Sequence, residues 1–209
     1  MYEKFGQFID GKWSPSSNKE TYEVINPATE EVLGHASKAS PADVERALKS
    51  AEKGLKVWKK TTPWDRSYIL RRIADKLREK KNVLAKWMTL ENGKPLAEGI
   101  GETNGAADIF EWNAEETKRI FGQTIESRSE DTRVHVYYQP VGVVAALSPW
   151  NFPLILAARK ISTALAAGCS VIIKPDTITP GVVMELVDIC RECGVPPGAV
   201  NLLSGDPPS

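Results

Sequence analysis

The chain has 209 residues, of which 42% are hydrophobic and 26% are charged, and this composition predicts one or two packed domains. Its 27 Lys and Arg residues balance 27 Asp and Glu residues, so no net charge attracts nucleic acid or an anionic membrane. No apolar run approaches the roughly 18 to 20 residues that span a bilayer, and no leader pattern opens the sequence. We therefore predict a cytoplasmic protein with neither a nucleic-acid nor a membrane partner.

The first 120 residues divide into a strand-rich part and a helical part. Residues 1–38 alternate short runs typical of strands, such as FGQFIDGKW and TYEVIN, with turn clusters, and we expect them to form a lid or a sheet edge rather than core. Ser40, Pro41 and Asp43 are typical of a helix N-terminus, and Thr62 and Asp65 repeat the pattern. Because Gly93-Lys94-Pro95 then separates a further helix, we predict three or four helices between 40 and 120.

The remaining residues predict a ribbon followed by an α/β sheet. Residues 123–139 alternate loosely, which favours a two-stranded antiparallel ribbon. The apolar runs VGVVAAL (141–147), SVIIK (170–174) and AVNLL (199–203) alternate with helical segments at 154–168 and 179–193. This order predicts a parallel, doubly wound sheet with helices on both faces. Ligands bind beyond the carboxyl ends of such strands, here at the loops that begin at Ser148, Lys174 and Ser204.

The charge around these loops favours an anionic ligand. Between residues 141 and 175 the only formally charged side chains are Arg159, Lys160 and Lys174, all of them basic, which suits phosphates or carboxylates. The dinucleotide fingerprint G-x-G-x-x-G does not follow the first of these strands, and the phosphate loop G-x-x-x-x-G-K-[ST] is missing too. Any nucleotide must therefore be held in another way.

Several separated motifs resemble one family. PVGVVAALSPWNFPL, ALAAGCSVIIKP and GVPPGAVNLLSG, preceded by FIDGKW, INPATEEVLG and ENGKPLAE, are similar in order and spacing to the NAD(P)-dependent aldehyde dehydrogenase superfamily. The resemblance covers essentially the whole chain and implies an N-terminal helical layer on a Rossmann-like parallel sheet, with a protruding antiparallel ribbon. It implies three parts: strands and helices of the cofactor domain (1–122), an oligomerisation ribbon (123–140) and the first half of the NAD(P)-binding sheet (141–209).

The resemblance also implies roles for particular residues. Family members attack an aldehyde with a cysteine thiolate, transfer hydride to the nicotinamide and hydrolyse the thioester with water activated by a glutamate. Asn151 matches the asparagine that stabilises the oxyanion, Phe152 matches a residue of the aldehyde channel, and Lys174 matches a lysine that binds the adenine ribose. The remaining matches to the cofactor site are Leu147, Ser148, Pro149, Trp150 and Gly205. The alternative is that Asn151 only forms a turn and that the aromatic residues are ordinary core.

Two further positions bear on cofactor and substrate. Many NAD-preferring relatives carry a glutamate where this chain has Thr177, and its loss removes a repulsion toward the 2′-phosphate of NADP, although Asp176 keeps a negative charge nearby. We therefore expect NAD or NADP to be used. Arg159 matches an arginine with which succinate-semialdehyde dehydrogenases bind the substrate carboxylate; the alternative is an exposed Arg-Lys pair on a helix.

The family's catalytic glutamate and cysteine find no counterpart in these 209 residues. Cys169, Cys190 and Cys193 do not lie in the family's nucleophile context, and we expect structural thiols; with only His35 and His135 in addition, we expect no metal site. The sequence thus predicts an incomplete fold, inactive alone toward a small-molecule aldehyde. The alternative is a non-catalytic nucleotide-binding or assembly module, and in either case we expect a homo-oligomer through the 123–139 ribbon or through an uncovered edge of the AVNLL strand.

Overall fold

The computed structural model describes residues 2–206. Its strands are β1 (Gln7–Ile9), β2 (Lys12–Ser14), β3 (Thr21–Ile25), β4 (Val32–Ser37), β5 (Gln123–Glu126), β6 (Arg133–Val136), β7 (Val143–Leu147), β8 (Ser170–Lys174) and β9 (Val200–Leu202). Its helices are α1 (Pro41–Trp58), α2 (Pro63–Glu79), α3 (Lys81–Asn92), α4 (Leu96–Glu116), α5 (Pro153–Ala166) and α6 (Pro180–Glu192), with a short 3₁₀ turn at Thr117–Arg119.

The main sheet has five strands in the order β2-β1-β9-β8-β7. Strands β7, β8 and β9 are parallel, as predicted, but β1 runs antiparallel to both β9 and β2. The sheet is therefore mixed: the three strands predicted to be parallel are confirmed, and two antiparallel strands from residues 1–38 extend it on one side. A tight hairpin joins β1 to β2, where Asp10 and Gly11 both adopt positive φ angles, the geometry of a two-residue turn.

The first strand corrects two predictions. Phe8 of β1 is buried and pairs with Leu202 of β9, so part of residues 1–38 belongs to the core and is not merely a lid or an edge. The same pairing covers β9 on both sides, so the predicted uncovered edge at AVNLL is wrong. Among the described strands of this sheet, the edges are β2 and β7.

Helices cover both faces of the sheet. On one face α1 packs over Ile9, Ile172 and Leu203, while α5 and α6 pack over the other, against alternating residues such as Val171 and Ile173. Helices α2, α3 and α4 form an outer layer against α5 and α6. The prediction of three or four helices between 40 and 120 is confirmed, and the structure has four, α1 to α4.

The predicted helix starts are also confirmed. Ser40 and Asp43 form a capping box at α1, in which each side chain accepts a hydrogen bond from the other's backbone N–H. Thr62 caps α2 by accepting from the Asp65 N–H. These caps satisfy N–H groups that have no partner inside the helix.

The ribbon of β5 and β6 is antiparallel, as predicted. Nearly all of its side chains are exposed, including Ile125 and Val134. It stands apart from the main sheet as a separate two-stranded unit.

Candidate functional site: a groove and an asparagine loop at the strand ends

A groove lies at the carboxyl ends of the parallel strands. Its volume is about 580 Å³. Val44 and Leu48 of α1 form one wall, and Leu147 and Leu203 contribute to the other. Three residues predicted to bind a cofactor line this groove, namely Leu147, Lys174 and Gly205. The structure thus brings together one predicted residue from the end of each parallel strand, because such ends meet at one edge of a sheet.

Lys174 supplies the positive charge of the groove. It is the last residue of β8, half-buried, and its Nζ lies 3.3 Å from the carbonyl oxygen of the adjacent Pro175. Within residues 2–206 no carboxylate forms an ion pair with it, whereas Lys38, nearby, is paired with Asp206 at 2.9 Å. A lysine held at an apolar groove without a carboxylate partner can bind an anionic or hydroxyl-rich ligand.

The other predicted cofactor residues lie outside the groove lining. Ser148 is buried and its hydroxyl donates to the Pro153 carbonyl oxygen at 3.2 Å, while Pro149 and Trp150 are exposed. Asp176 accepts a hydrogen bond from the Ile178 N–H at 3.1 Å, which forms a local turn. Thr177 is half-buried in the same turn.

Asn151 lies in the loop that joins β7 to α5, which we call the Asn151 loop (148–152). Its side chain is exposed, and its Oδ1 accepts a hydrogen bond from the Phe152 N–H at 3.1 Å. That bond leaves the two N–H groups of Nδ2 without a protein acceptor among the described residues. Such an amide is free to donate to a ligand oxygen. Phe152, beside it, is half exposed rather than core.

The Asn151 loop contacts the segment between α3 and α4. Asn92 Nδ2 donates to the Trp150 carbonyl oxygen at 3.0 Å, and Lys94 Nζ donates to the Asn151 carbonyl oxygen at 2.9 Å. Lys94 also forms an ion pair with Glu102 of α4. Glu102 Oε1 in turn accepts the N–H groups of Leu154 and Ile155 at 2.9 and 3.1 Å, so a side chain from α4 caps α5.

A second buried glutamate caps α6 in the same manner. Glu91 lies at the end of α3 and accepts the N–H groups of Gly181 and Val182 at 2.7 and 3.2 Å, as well as the Tyr2 hydroxyl. Burial raises the pKa of Glu91 to about 7, although these hydrogen bonds act to lower it. A side chain on Gly181 would clash with Trp87 and with the Glu91 carboxylate, so glycine permits this close approach.

Sequence reasoning missed Glu91, Asn92, Lys94 and Glu102 as parts of the site. The available signal was indirect: α5 and α6 both begin with proline, and neither has a side-chain cap of its own. Two acids in the ENGKPLAEGIGE segment supply those caps from another part of the chain. Local pattern reasoning does not identify partners that are supplied over such a sequence distance.

Arg159 lies away from the groove. It lines a separate cavity of about 520 Å³ between α5 and the edge strand β7, together with Lys160, Val144 and Cys169. Its side chain is exposed, and within the described residues no carboxylate is paired with it. An unpaired guanidinium is suited to bidentate binding of a carboxylate.

The three cysteines are free and buried, as expected of structural thiols. Burial raises the pKa of the Cys190 thiol, and it is also the main cause that raises the pKa of Cys193. Within residues 2–206 no cluster of three or more His, Cys, Asp or Glu side chains could hold a metal ion. No described helix combines the length and the apolar character that crossing a bilayer requires.

An open sheet with helices on both faces, and with polar loops at its carboxyl edge, defines a Rossmann-like α/β protein. The sequence profile of the aldehyde dehydrogenase family matches residues 13–209. The chain belongs to this family, so the resemblance is confirmed.

Individual relatives agree with this assignment. The chain is 43% identical over 198 residues to a glutarate-semialdehyde dehydrogenase of Pseudomonas putida, covering 95% of this chain and 41% of that protein. It is 42% identical over 197 residues to an NADP(+) succinate-semialdehyde dehydrogenase of Escherichia coli, covering 94% and 41%. The crystal structure of an NADP-dependent enzyme of E. coli superimposes with a TM-score of 0.95 at 40% identity, covering 99% of this chain and 43% of that one. The chain thus spans about two fifths of the length of these relatives.

Proposed function

We propose that the protein binds NAD or NADP at the carboxyl ends of β7, β8 and β9 and serves the oxidation of an aldehyde to a carboxylic acid. The observation that carries this proposal is the groove of about 580 Å³, in which Lys174 offers an ammonium without a carboxylate partner among the described residues. The apolar walls, which include Val44 and Leu48 of α1, suit a nucleotide base. Lys174 suits a ribose hydroxyl or a phosphate.

Asn151 supplies the second part of the proposal. Its Nδ2 donors are free while its Oδ1 is held by the Phe152 N–H. A donor fixed in this way can stabilise the negative charge that develops on an aldehyde oxygen when a thiolate attacks its carbon. The three cysteines are buried, and burial raises the pKa of the Cys190 and Cys193 thiols, which disfavours their nucleophilic thiolate form. We therefore expect the 209-residue chain alone to bind cofactor without turning over an aldehyde.

The substrate class that we propose is an aldehyde bearing a second, negatively charged group. Arg159 lines its own cavity beside β7, and a guanidinium fork can hold a carboxylate through two hydrogen bonds. The names of two relatives, glutarate-semialdehyde and succinate-semialdehyde dehydrogenase, support this class. For the cofactor, Thr177 offers no negative charge to repel a 2′-phosphate, so we propose that NADP is accepted alongside NAD.

The alternative function is that of a non-catalytic assembly module. It is favoured by exposed apolar residues on the ribbon and near the edge strand β7, including Tyr137, Val141 and Leu147. Homo-oligomer formation through the ribbon or the β7 edge would cover these residues. We propose cytoplasmic function in either case.

Calorimetric titration of the purified chain with NAD and with NADP tests the proposal. Replacement of Lys174 by alanine removes a charge-assisted hydrogen bond worth about 1.5 to 3 kcal/mol, and should weaken binding roughly 10- to 100-fold. Lys56→Ala is the control, because Lys56 is an exposed lysine toward the end of α1 that does not line the groove. The absence of any heat of binding for both cofactors would contradict the assignment of the groove. An affinity of Lys174→Ala equal to that of the wild type would contradict it as well.

A further inference from the structure

The backbone of the Asn151 loop is held by side chains from a single segment, 91–102. Asn92 binds the carbonyl oxygen of Trp150, Lys94 binds that of Asn151, and Glu102 binds the N–H groups at the start of α5. The loop therefore does not depend only on its own turn geometry. It is held through main-chain groups by another part of the chain.

Lys94 is the central member of this arrangement. Its side chain is 7% exposed, and that of its ion-pair partner Glu102 is 2% exposed. The Lys94 ammonium also lies 4.0 Å from the centre of the Phe152 ring, within range of a cation–π interaction. A buried charge requires pairing and hydrogen bonding, and within residues 2–206 the partners of this ammonium lie on Glu102 and the Asn151 loop.

One peptide group connects Lys94 to the side chain of Asn151. The Asn151 carbonyl and the Phe152 N–H belong to the same planar peptide. Lys94 binds the oxygen of this peptide at 2.9 Å, and Asn151 Oδ1 accepts from its N–H at 3.1 Å. Rotation of the peptide plane would therefore break both bonds together. While Lys94 holds the plane, the side-chain amide of Asn151 stays oriented with Nδ2 free.

We propose that Lys94 is the positioning residue for Asn151: by fixing the peptide between Asn151 and Phe152, it preorganises the Asn151 amide as an oxyanion donor. Preorganisation matters because a donor that is already in place costs no reorganisation as charge develops. Glu102 has two roles: it holds the Lys94 ammonium in place, and it caps α5. The proposal rests on the function proposed above, because it takes Asn151 to be the donor.

The test replaces Lys94 together with Glu102, so that no unpaired charge remains buried. The double variant Lys94→Met/Glu102→Gln replaces the buried ion pair by neutral side chains of similar size, and the glutamine oxygen can still cap α5. A matched control is Lys80→Met/Glu192→Gln, which removes an ion pair of 3.2 Å between Lys80, the residue that joins α2 to α3, and Glu192 at the end of α6. Nuclear magnetic resonance spectra of the ¹⁵N-labelled 209-residue chain then report the Asn151 side-chain amide and the Phe152 backbone amide.

We expect the double variant to shift the Phe152 amide at least halfway to its random-coil position and to move both Asn151 Nδ2 proton signals toward those of a freely exposed asparagine. The Leu154 and Ile155 amides should remain in place, and so should the β8 amides. The control pair should leave the Asn151 signals unchanged. A purely structural role would move core and loop signals together and would overturn the proposal, as would unchanged Asn151 and Phe152 signals.

A measurement on the wild-type chain keeps the proposal testable if the double variant does not fold. The Lys94 ammonium should exchange its protons slowly enough to be observed, and it should show cross-relaxation with the Phe152 ring. An ammonium that exchanges like those of exposed lysines would overturn the proposal. Because no cofactor is present in either experiment, failure here is distinct from failure of cofactor binding at the groove.

Discussion

Glu91 should make the stability of this protein fall as the pH rises through neutrality. Its side chain is fully buried, and it accepts hydrogen bonds from Tyr2, Gly181 and Val182. Burial is the larger influence and raises its pKa to about 7 from 4.5. Burial also raises the pKa of Tyr2, so the phenol stays a donor throughout the accessible range.

The magnitude follows from proton linkage. Between pH 4.5 and 7 the folded protein holds a proton on Glu91 that the unfolded chain has released, so the stabilisation is complete below pH 4.5 and is lost as the pH rises through 7. The shift corresponds to about 3 kcal/mol in total at 1.36 kcal/mol per pKa unit. About 2 kcal/mol of this should be lost between pH 5.5 and pH 8.

The perturbation is Glu91→Gln, which keeps an acceptor oxygen for the start of α6 but cannot ionise. Urea unfolding of the variant and of the wild type at pH 5.5 and 8.0 measures the difference in the free energy of unfolding. The variant should gain about 2 kcal/mol relative to the wild type at the higher pH. Taking the difference between the two proteins cancels the titration of other groups. A difference that is the same at both pH values would show that Glu91 does not release a proton between them in the folded protein.

Three further predictions concern other parts of the fold. Gly54→Ala should destabilise the protein by about 3 kcal/mol, because the new Cβ would lie 2.0 Å from the Gly198 carbonyl carbon. Urea unfolding measures this change, and an unchanged midpoint of the unfolding transition would contradict the contact. Asp43→Ala should lower the free energy of unfolding by about 2 kcal/mol at pH 7. Burial acts to raise the pKa of Asp43, but hydrogen bonds from Ser17 and Ser40 outweigh it and lower the pKa to about 2. The difference in the free energy of unfolding between variant and wild type should therefore shrink as the pH falls from 4 toward 2, and a pH-independent difference would argue against the capping box. Thr177→Glu should weaken NADP binding at least roughly 10-fold relative to NAD in calorimetry, and equal effects on both cofactors would count against a 2′-phosphate near this turn.

The helices and the parallel strands could be predicted because their signals are local. Caps at Ser40 and Thr62 and the apolar runs of β7 and β8 lie within a few residues of the elements that they define. The place of β1 could not be predicted in this way. It is only three residues long, and its position depends on pairing with β9 near the other end of the sequence.

In the candidate site, too, residues with a local sequence signal could be predicted, and residues that depend on distant contacts could not. The resemblance identified Lys174 and Asn151 from motifs adjacent to strand ends, and the sheet topology places both at its carboxyl edge. It assigned no role to Lys94 or Glu102, because both act on the site through main-chain groups about fifty residues away. Backbone carbonyl and N–H groups leave no mark on a sequence pattern, so such contacts emerge only in three dimensions.

The most direct test of the central claim is to map NADP binding onto the ¹⁵N-labelled chain by amide chemical shifts. We expect the largest changes on Leu147, Lys174 and Gly205, which line the groove from three different strand ends. Val44 and Leu48 on the opposite wall should shift as well. Changes confined to other surfaces, or no changes at millimolar NADP, would contradict the assignment of a nicotinamide cofactor to this groove.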